Sequence, residues 1–434
     1  MIQKSLFLET KTFQNEMNSL FDYESSHTKD KDLVLNKTSY ITRHNQYINS
    51  NNNLNSNSNN IEILFKVNHK NNEFIIESPI QNNILPTEKN INDLNNKIWY
   101  VAKRELNQNI QNIDNNNADI NLHQDDIIKL GRTKYLITEI NVSRKVNNKD
   151  LQLKEEGMNE YGIDNINNEP VFDRYPLVKD ASEFNYPQNE EALCKVCYSG
   201  NYDRENDPLI NMCNCKGGIK FCHFLCIKNW LKTKLIVREN LKKTVKNYFV
   251  NNFNCELCKV PYFYKFKIKG LDKTFELIDI EKPKEEKDYI ILESLNHVKN
   301  NCNNKSIHVA ELTGDDLILG RNLESDIICY DISISRNHAL LKYNSNNGNI
   351  TLRDYNSKFG TLVLVKSPLL IKEGKIHLQI GRSYFSVYTI NTNTFYKNLF
   401  KVEYIEKEEI NEIDNNNNKK KDKMVIEEID NIQN

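Results

Sequence analysis

Short apolar runs separated by polar, Asn-rich stretches dominate the chain, and their lengths suit strands better than helices. Ile61 to about Val142 carries "IEILFKV", "EFIIES" and "KIWYVAKREL", which predicts a small β domain. From roughly Asp288 to Asn391 the runs are "IHVAEL", "DLILG", "DIICY", "HALLKY", "NITLRDY", "TLVLV", "KIHLQIG" and "SYFSVYTI". So many short strands at this spacing predict a β-sandwich. Asn347-Gly348, between "HALLKY" and "NITLRDY", predicts a tight primed hairpin turn, because both residues tolerate positive φ. Only "FLCIKNWLKTKL" reads otherwise: Phe224, Ile227, Trp230, Leu231 and Leu235 recur at helical spacing. The stretch "DIIKLGRTKYLITEI" near Ile127 to Ile140 echoes "IHLQIGRSYFSVYTI" near Ile376 to Ile390, which fits two related sandwiches.

Composition then divides the chain. Residues 1–60 end in "NQYINSNNNLNSNSNNI", with too little apolar area to offset chain entropy, so they are expected to be disordered. The β domain takes 61–142, a polar linker 143–190, a cysteine-rich module 191–263, a second linker 264–287, the sandwich 288–393, and a charged tail 394–434. The expected class is mostly β with a small α+β metal domain.

The chain of 434 residues holds 58 basic and 59 acidic side chains, a balance that does not argue for nucleic acid or an anionic membrane. No apolar run reaches bilayer length and the N-terminus lacks a signal-peptide core, so the expectation is a soluble, intracellular protein, cytoplasmic or nuclear. Eight of the ten cysteines lie between Cys194 and Cys258. In a reducing compartment such a cluster reads as metal-binding, whereas Cys302 and Cys329 read as ordinary thiols.

In order, the cluster is Cys194xxCys197, Cys213xCys215, His223xxCys226 and Cys255xxCys258. Four pairs make two closed tetrahedral sites, the stoichiometry of structural zinc. "CKVC", "CNCKGGIKFCH", "HFLC" followed by "IKNW", and "CELC" resemble the RING-CH, or RING-variant, domain of certain ubiquitin-protein ligases. A PHD finger has the same ligand order, and Phe253 mimics its aromatic, but its histidine follows the second pair more closely. The RING-CH resemblance implies a cross-brace: Cys194, Cys197, His223 and Cys226 on one zinc, Cys213, Cys215, Cys255 and Cys258 on the other. It leaves Cys222 as a buried thiol. It also implies docking of a ubiquitin-conjugating enzyme through Val196 and Trp230, with Lys259 placed to donate a hydrogen bond to ubiquitin. The sequence departs from membrane-associated relatives in a longer Cys226–Cys255 segment and in lacking a transmembrane pair.

In the sandwich, "LILGRNLESDIICYDISISRNHALLKY" and "RDYNSKFGTLVLV" resemble a forkhead-associated (FHA) domain. Phosphothreonine brings nearly two negative charges, so its receptor needs a forked cation and a hydroxyl donor on loops held by a scaffold. Arg321 supplies the fork and Ser335 the hydroxyl, while Arg336 and Lys358 add positive charge. Gly320, His338, Gly360 and Thr361 are structural in this reading, with His338 orienting the Ser335 loop. Phe359 stands where most of the family has Asn. The N-terminal β domain lacks SxxH and a clear GT turn, so as a degenerate FHA-like sandwich it would have lost its phosphate site.

Two readings stay open. In the first, a soluble ubiquitin-protein ligase is directed by phosphothreonine. In the second, a phospho-dependent scaffold carries a finger that serves structure or protein interaction without ligase activity. A nucleic-acid reader is disfavoured, because "NYDRENDPL" and "NCELC" mix both charge signs.

Overall fold

The computed structural model describes residues 4–13, 20–23, 27–52, 61–78, 93–102, 119–142, 178–180, 192–268, 271, 273–284, 286–295, 304–371 and 374–391. The structure is mostly β, and among the described residues no helix is long and apolar enough to cross a membrane. The charged tail, Cys302 and most of the 143–190 segment lie outside the described residues.

The first sandwich starts with β1 (Lys4–Phe13), β2 (Thr28–Leu35), β3 (Ser39–His44), β4 (Tyr47–Asn51), β5 (Glu62–Lys70), β6 (Glu73–Glu77) and β7 (Trp99–Val101). The second starts with β18 (Tyr289–Leu295), β19 (Lys305–Glu311), β20 (Leu317–Gly320), β21 (Ile327–Ile328), β22 (Ala339–Asn344), β23 (Asn349–Asp354) and β24 (Thr361–Leu364). Neither is finished by the strands that follow it in the chain. After β7 the chain crosses over, and β8 (Ile120–Asn121), β9 (Ile127–Leu130) and β10 (Thr133–Asn141) complete the second sandwich. After β24 it crosses back, and β25 (Leu369–Ile371), β26 (Lys375–Ile380) and β27 (Ser383–Asn391) complete the first.

Strand for strand, the two sandwiches share one order. The first has β2-β1-β27-β26-β7 over β25-β6-β5-β3-β4, the second β19-β18-β10-β9-β24 over β8-β23-β22-β20-β21. Strands β7 and β24 pair antiparallel, Leu362 opposite Val101, and so join both halves into one twelve-stranded sheet. Each core draws on both segments. Leu6, Leu8, Ile41 and Phe65 pack with Leu378 and Phe385, while Leu292, Leu319 and Leu352 pack with Ile128, Leu130 and Ile137.

The two echoing stretches are the two exchanged hairpins. In each, Gly131-Arg132 or Gly381-Arg382 turns the chain between paired residues, Leu130 opposite Thr133 and Ile380 opposite Ser383. Of each pair only the glycine has positive φ, +56° and +54°, the pattern of a II′ turn. At Gly131 no other residue fits, since a Cβ would lie 2.4 Å from Ser333 Oγ.

Several expectations are corrected. Residues 1–60 carry four strands, β1 to β4: in β1 the apolar positions alternate, with Leu6 and Leu8 fully buried, and the area that offsets entropy is borrowed from β27. The 61–142 segment is not one domain but serves both sandwiches, and residues 288–393 do not close on themselves. Asn347-Gly348 is not a two-residue primed turn. Asn344 pairs with Asn349 across four residues, and of these only Gly348 has positive φ, +73°.

The cysteine-rich module contains β12 (Leu209–Ile210), β13 (Cys222–His223), α1 (Phe224–Lys232), β14 (Leu235–Glu239), β15 (Val245–Val250), β16 (Lys265–Lys267) and β17 (Thr274–Glu276). Helix α1 buries Phe224, Ile227 and Leu231, each contributing about 1.5–3 kcal/mol. The 264–287 segment is not a plain linker: Phe266 and Phe275 stack at 5.2 Å, and both meet Phe224 edge-on. Strand β11 (Val178–Asp180), from the 143–190 segment, pairs parallel with β16. The long Cys226–Cys255 segment is the β14-β15 hairpin, and β15 pairs with β19 from Val245-Ala310 to Val250-Lys305. The module therefore shares a core with the sheet, Tyr248, Val250 and Phe253 packing with Ile291, Ile307 and Val309.

Candidate functional sites

Two short knuckles open the cysteine-rich module to metal. In the first, the Tyr198 amide donates to the Cys194 carbonyl at 2.9 Å, and in the second the Lys259 amide donates to the Cys255 carbonyl at 2.9 Å. Tyr198 and Lys259 both have positive φ, +56° and +59°, which folds each CxxC back on itself. The amides of Val196 and His223 point at Cys194 Sγ, each at 3.4 Å.

Cys194, Cys197, His223 and Cys226 converge, as do Cys213, Cys215, Cys255 and Cys258, with the ligand atoms of each set within 4.8 Å of one another. Tetrahedral zinc with Zn–S near 2.3 Å places sulfurs about 3.8 Å apart, and Cys215 Sγ lies 3.7 Å from Cys255 Sγ. His223 Nδ1 is 3.2 Å from Cys197 Sγ and 3.8 Å from Cys226 Sγ, while Nε2–H donates to the Asn201 carbonyl at 2.8 Å. That second contact fixes the tautomer whose Nδ1 faces the metal. Both donor sets fit zinc. Cys222 stands outside either quartet, 2% exposed, and burial together with the nearby Cys194 charge pushes its thiol up, away from the thiolate a ligand must be.

Nothing in the residue pattern singles out Lys195, although it sits inside the first CxxC. Its Nζ lies 3.5 Å from Cys213 Sγ and 3.6 Å from Cys255 Sγ, ligand atoms of the other quartet. Burial opposes its charge, but the neighbouring thiolates outweigh burial and raise its pKa. Val196 is 51% exposed. Trp230 is half-buried at the end of α1, edge-on to Tyr262 at 6.3 Å, with Lys234 Nζ 3.8 Å over its ring. Lys234 also pairs with Glu256 of the second knuckle at 2.7 Å, and Lys259 is exposed on that knuckle.

At one end of the second sandwich three loops converge. Arg321, just after β20, donates its amide to the Ser335 carbonyl at 3.0 Å and its Nε to the Ile334 carbonyl at 3.1 Å. Ser335 Oγ accepts from the Lys358 amide at 3.2 Å, so the hydroxyl is held between two loops. His338 is fully buried. Its Nδ1 accepts from the Ser335 amide at 3.0 Å and its Nε2–H donates to the Gly360 carbonyl at 3.1 Å, clamping the Ser335 loop to the 357–361 turn. There Ser357 Oγ and Thr361 Oγ1 both donate to Asp354 Oδ1, at 2.5 and 2.7 Å. Gly320 is required by crowding, since a Cβ would sit 2.0 Å from the Arg336 carbonyl oxygen. Arg336 itself is exposed.

The N-terminal segment reaches this end too, which no sequence signal announced. Asp22 pairs with Lys358 at 3.3 Å, and the Tyr23 ring covers Gly360, 2.7 Å from where a Cβ would be. The exchanged turn also supports the Ser335 loop: the Arg132 amide donates to Ser333 Oγ at 2.9 Å, and its guanidinium reaches Asp331 at 3.2 Å.

With this geometry in place, comparison with known proteins is direct. Residues 194–258 match the RING-variant domain family and residues 317–381 the FHA domain family; this chain carries one of each. Over 72 residues, 17% of this chain, it is 36% identical to the probable E3 ubiquitin-protein ligase MARCHF10 of Rattus norvegicus, 8% of whose length is covered. It is 29% identical over 87 residues, 20% of the chain, to E3 ubiquitin-protein ligase MARCHF8 of Bos taurus, and 26% identical over 96 residues, 22% of the chain, to that of Homo sapiens. It spans only 24% and 27% of those two. A solved structure from a study of phosphothreonine-dependent FHA domain interactions aligns with 18% of this chain and 82% of its own, at 23% identity and a TM-score of 0.12. The RING-variant match and the two quartets together make two zinc ions the cofactors of the finger.

Proposed function

We propose that this chain is a ubiquitin-protein ligase whose FHA sandwich selects partners bearing phosphothreonine. The observation that carries the reading is the presence, joined through the β15–β19 pairing, of a finger with two complete zinc quartets and a sandwich that presents Arg321, Ser335 and Lys358 on converging loops. Zinc here would be structural. Cys194, Cys197, His223 and Cys226 would hold one ion and Cys213, Cys215, Cys255 and Cys258 the other, supplying order that so small a module cannot draw from its own core.

In this account Val196 and Trp230 dock a ubiquitin-conjugating enzyme, and Lys259 donates to ubiquitin. Arg321 meets the phosphate with a charge-assisted fork, Ser335 Oγ adds a donor, and Arg336 and Lys358 add positive charge. His338, Gly320, Gly360 and Thr361 hold those loops rather than touch ligand. Because β15 is hydrogen-bonded to β19, the docking face and the reader have a fixed separation, so a bound phosphoprotein meets the transfer site at an effective concentration set by geometry.

The test is an in vitro ubiquitination assay with zinc-loaded protein and a panel of conjugating enzymes. Activity that falls in Trp230→Ala supports the reading. Phosphopeptide binding without any ubiquitin transfer would favour the scaffold instead.

A further inference from the structure

The β14-β15 hairpin, inserted between the two halves of the zinc finger, does more than extend the sheet. Asp326 closes the loop that begins at Arg321 and leads into β21. Its Oδ1 accepts from Asn240 Nδ2 at 2.8 Å, and its backbone carbonyl accepts from Asn247 Nδ2 at 3.0 Å. Two residues on, the Ile328 amide donates to Asn247 Oδ1 at 3.1 Å. Strand β21 is only two residues long, and its ladder is with β20. The Asn247 side chain, offering one donor and one acceptor to a carbonyl and an amide two residues apart, takes the place of a further strand.

The surroundings fit that role. Asn247 is fully buried and Asn240 is 8% exposed. His308 Nδ1–H donates to the same Asn247 Oδ1 at 2.7 Å, and burial keeps its imidazole neutral, with a pKa lowered to about 3. Phe249, on β15, lies 4.5 Å from the Tyr330 ring just beyond β21.

We infer that Asn240 and Asn247, residues of the zinc finger by sequence, are positioning residues of the phosphothreonine site, which hold the Arg321 loop in its binding geometry. This rests on the phosphothreonine reading above. A loop ordered beforehand leaves less entropy to be lost on binding, so its release appears as weaker affinity rather than as loss of a ligand contact.

The test measures fluorescence anisotropy of a phosphothreonine peptide and its unphosphorylated counterpart with the full chain, Asn247→Ala and Asn240→Ala. Hydrogen exchange and zinc content are measured on the same samples. Both variants are expected to bind about tenfold more weakly, to retain two zinc ions, and to show faster exchange confined to residues 321–330. Wild-type discrimination combined with variant affinities within about twofold of wild type overturns this inference alone. Should Asn247→Ala fail to fold, Asn240→Ala decides at the hairpin turn. A wild-type chain that does not distinguish the two peptides overturns the phosphothreonine reading, and this inference with it.

Discussion

The two sandwiches share a strand order but treat an arginine in opposite ways. In the second, β20 ends at Gly320, and Arg321 opens a loop that runs to β21. In the first, the corresponding β3 passes through a two-residue turn, Asn45-Gln46, straight into β4, leaving no loop to carry a cation. Arg43 turns inward instead, with Nε and Nη2 on Glu62 at 3.0 and 2.7 Å and Nη1 on Ser383 Oγ at 2.9 Å. It is 6% exposed. One scaffold thus carries its arginine exposed on a loop and the other uses its arginine as a buried brace.

The largest effect should come from separating the halves. Residues 192–434 expressed without residues 1–142 would leave the second sandwich without β8, β9 and β10, and β27 without β1. Circular dichroism is expected to show no cooperative melt for that fragment, and co-expression with residues 1–142 should restore it. A fragment that melts cooperatively alone would show that the exchange is dispensable.

Next comes metal. Native mass spectrometry should find two zinc ions in the wild type and in Cys222→Val but only one in His223→Ala, because Cys222 lies outside both quartets. Loss of a zinc in Cys222→Val together with retention in His223→Ala would reverse the ligand assignment.

The arginines give a double dissociation. Arg321→Ala should weaken phosphopeptide binding by roughly 10- to 100-fold, the worth of charge-assisted hydrogen bonds, and leave urea stability within about 0.5 kcal/mol. Arg43→Ala should do the opposite, costing about 1–3 kcal/mol in urea melts because buried Ser383 loses one of its two side-chain partners, keeping only Thr12, with binding by the folded fraction unchanged. The upper end is discounted because Glu62 is 41% exposed. Matching profiles for the two variants would erase the distinction between the sandwiches.

The smallest effect concerns Asp22, whose carboxylate pairs with Lys358 beside the proposed phosphate site. Asp22→Asn should raise phosphopeptide affinity by about two- to fivefold at low salt, the range of an exposed ion pair, and less at high salt. Unchanged affinity at low salt would mean that Lys358 takes no part.

Much of this was legible in the chain. The eight metal-binding positions follow from spacing, because a tetrahedral site needs paired ligands near one another. The GR, SxxH and GT stretches are legible through their resemblance to the FHA family, whose match covers residues 317–381. The strand exchange is not legible, since a hairpin with an apolar inward face satisfies the same pattern whichever sandwich receives it. The echo marked both hairpins without saying where each docks. Residues 1–60 misled for a related reason: Asn-rich turns lower the average apolarity, while Leu6 and Leu8 lie in a strand whose partner, β27, is far along the chain. Asn240 and Asn247 looked like two more asparagines in an Asn-rich sequence, and only their pairing with Asp326 and Ile328 distinguishes them.

The central claim is that the sandwich reads phosphothreonine for the finger that delivers ubiquitin. The most direct measurement is the rate of ubiquitin transfer to one peptide substrate in its phosphothreonine and unmodified forms, by wild type, Arg321→Ala and Trp230→Ala. Faster transfer to the phosphorylated form, a preference abolished in Arg321→Ala, and loss of transfer to both forms in Trp230→Ala is the expected result. Equal rates for the two forms in the wild type, or a preference that survives in Arg321→Ala, would contradict it.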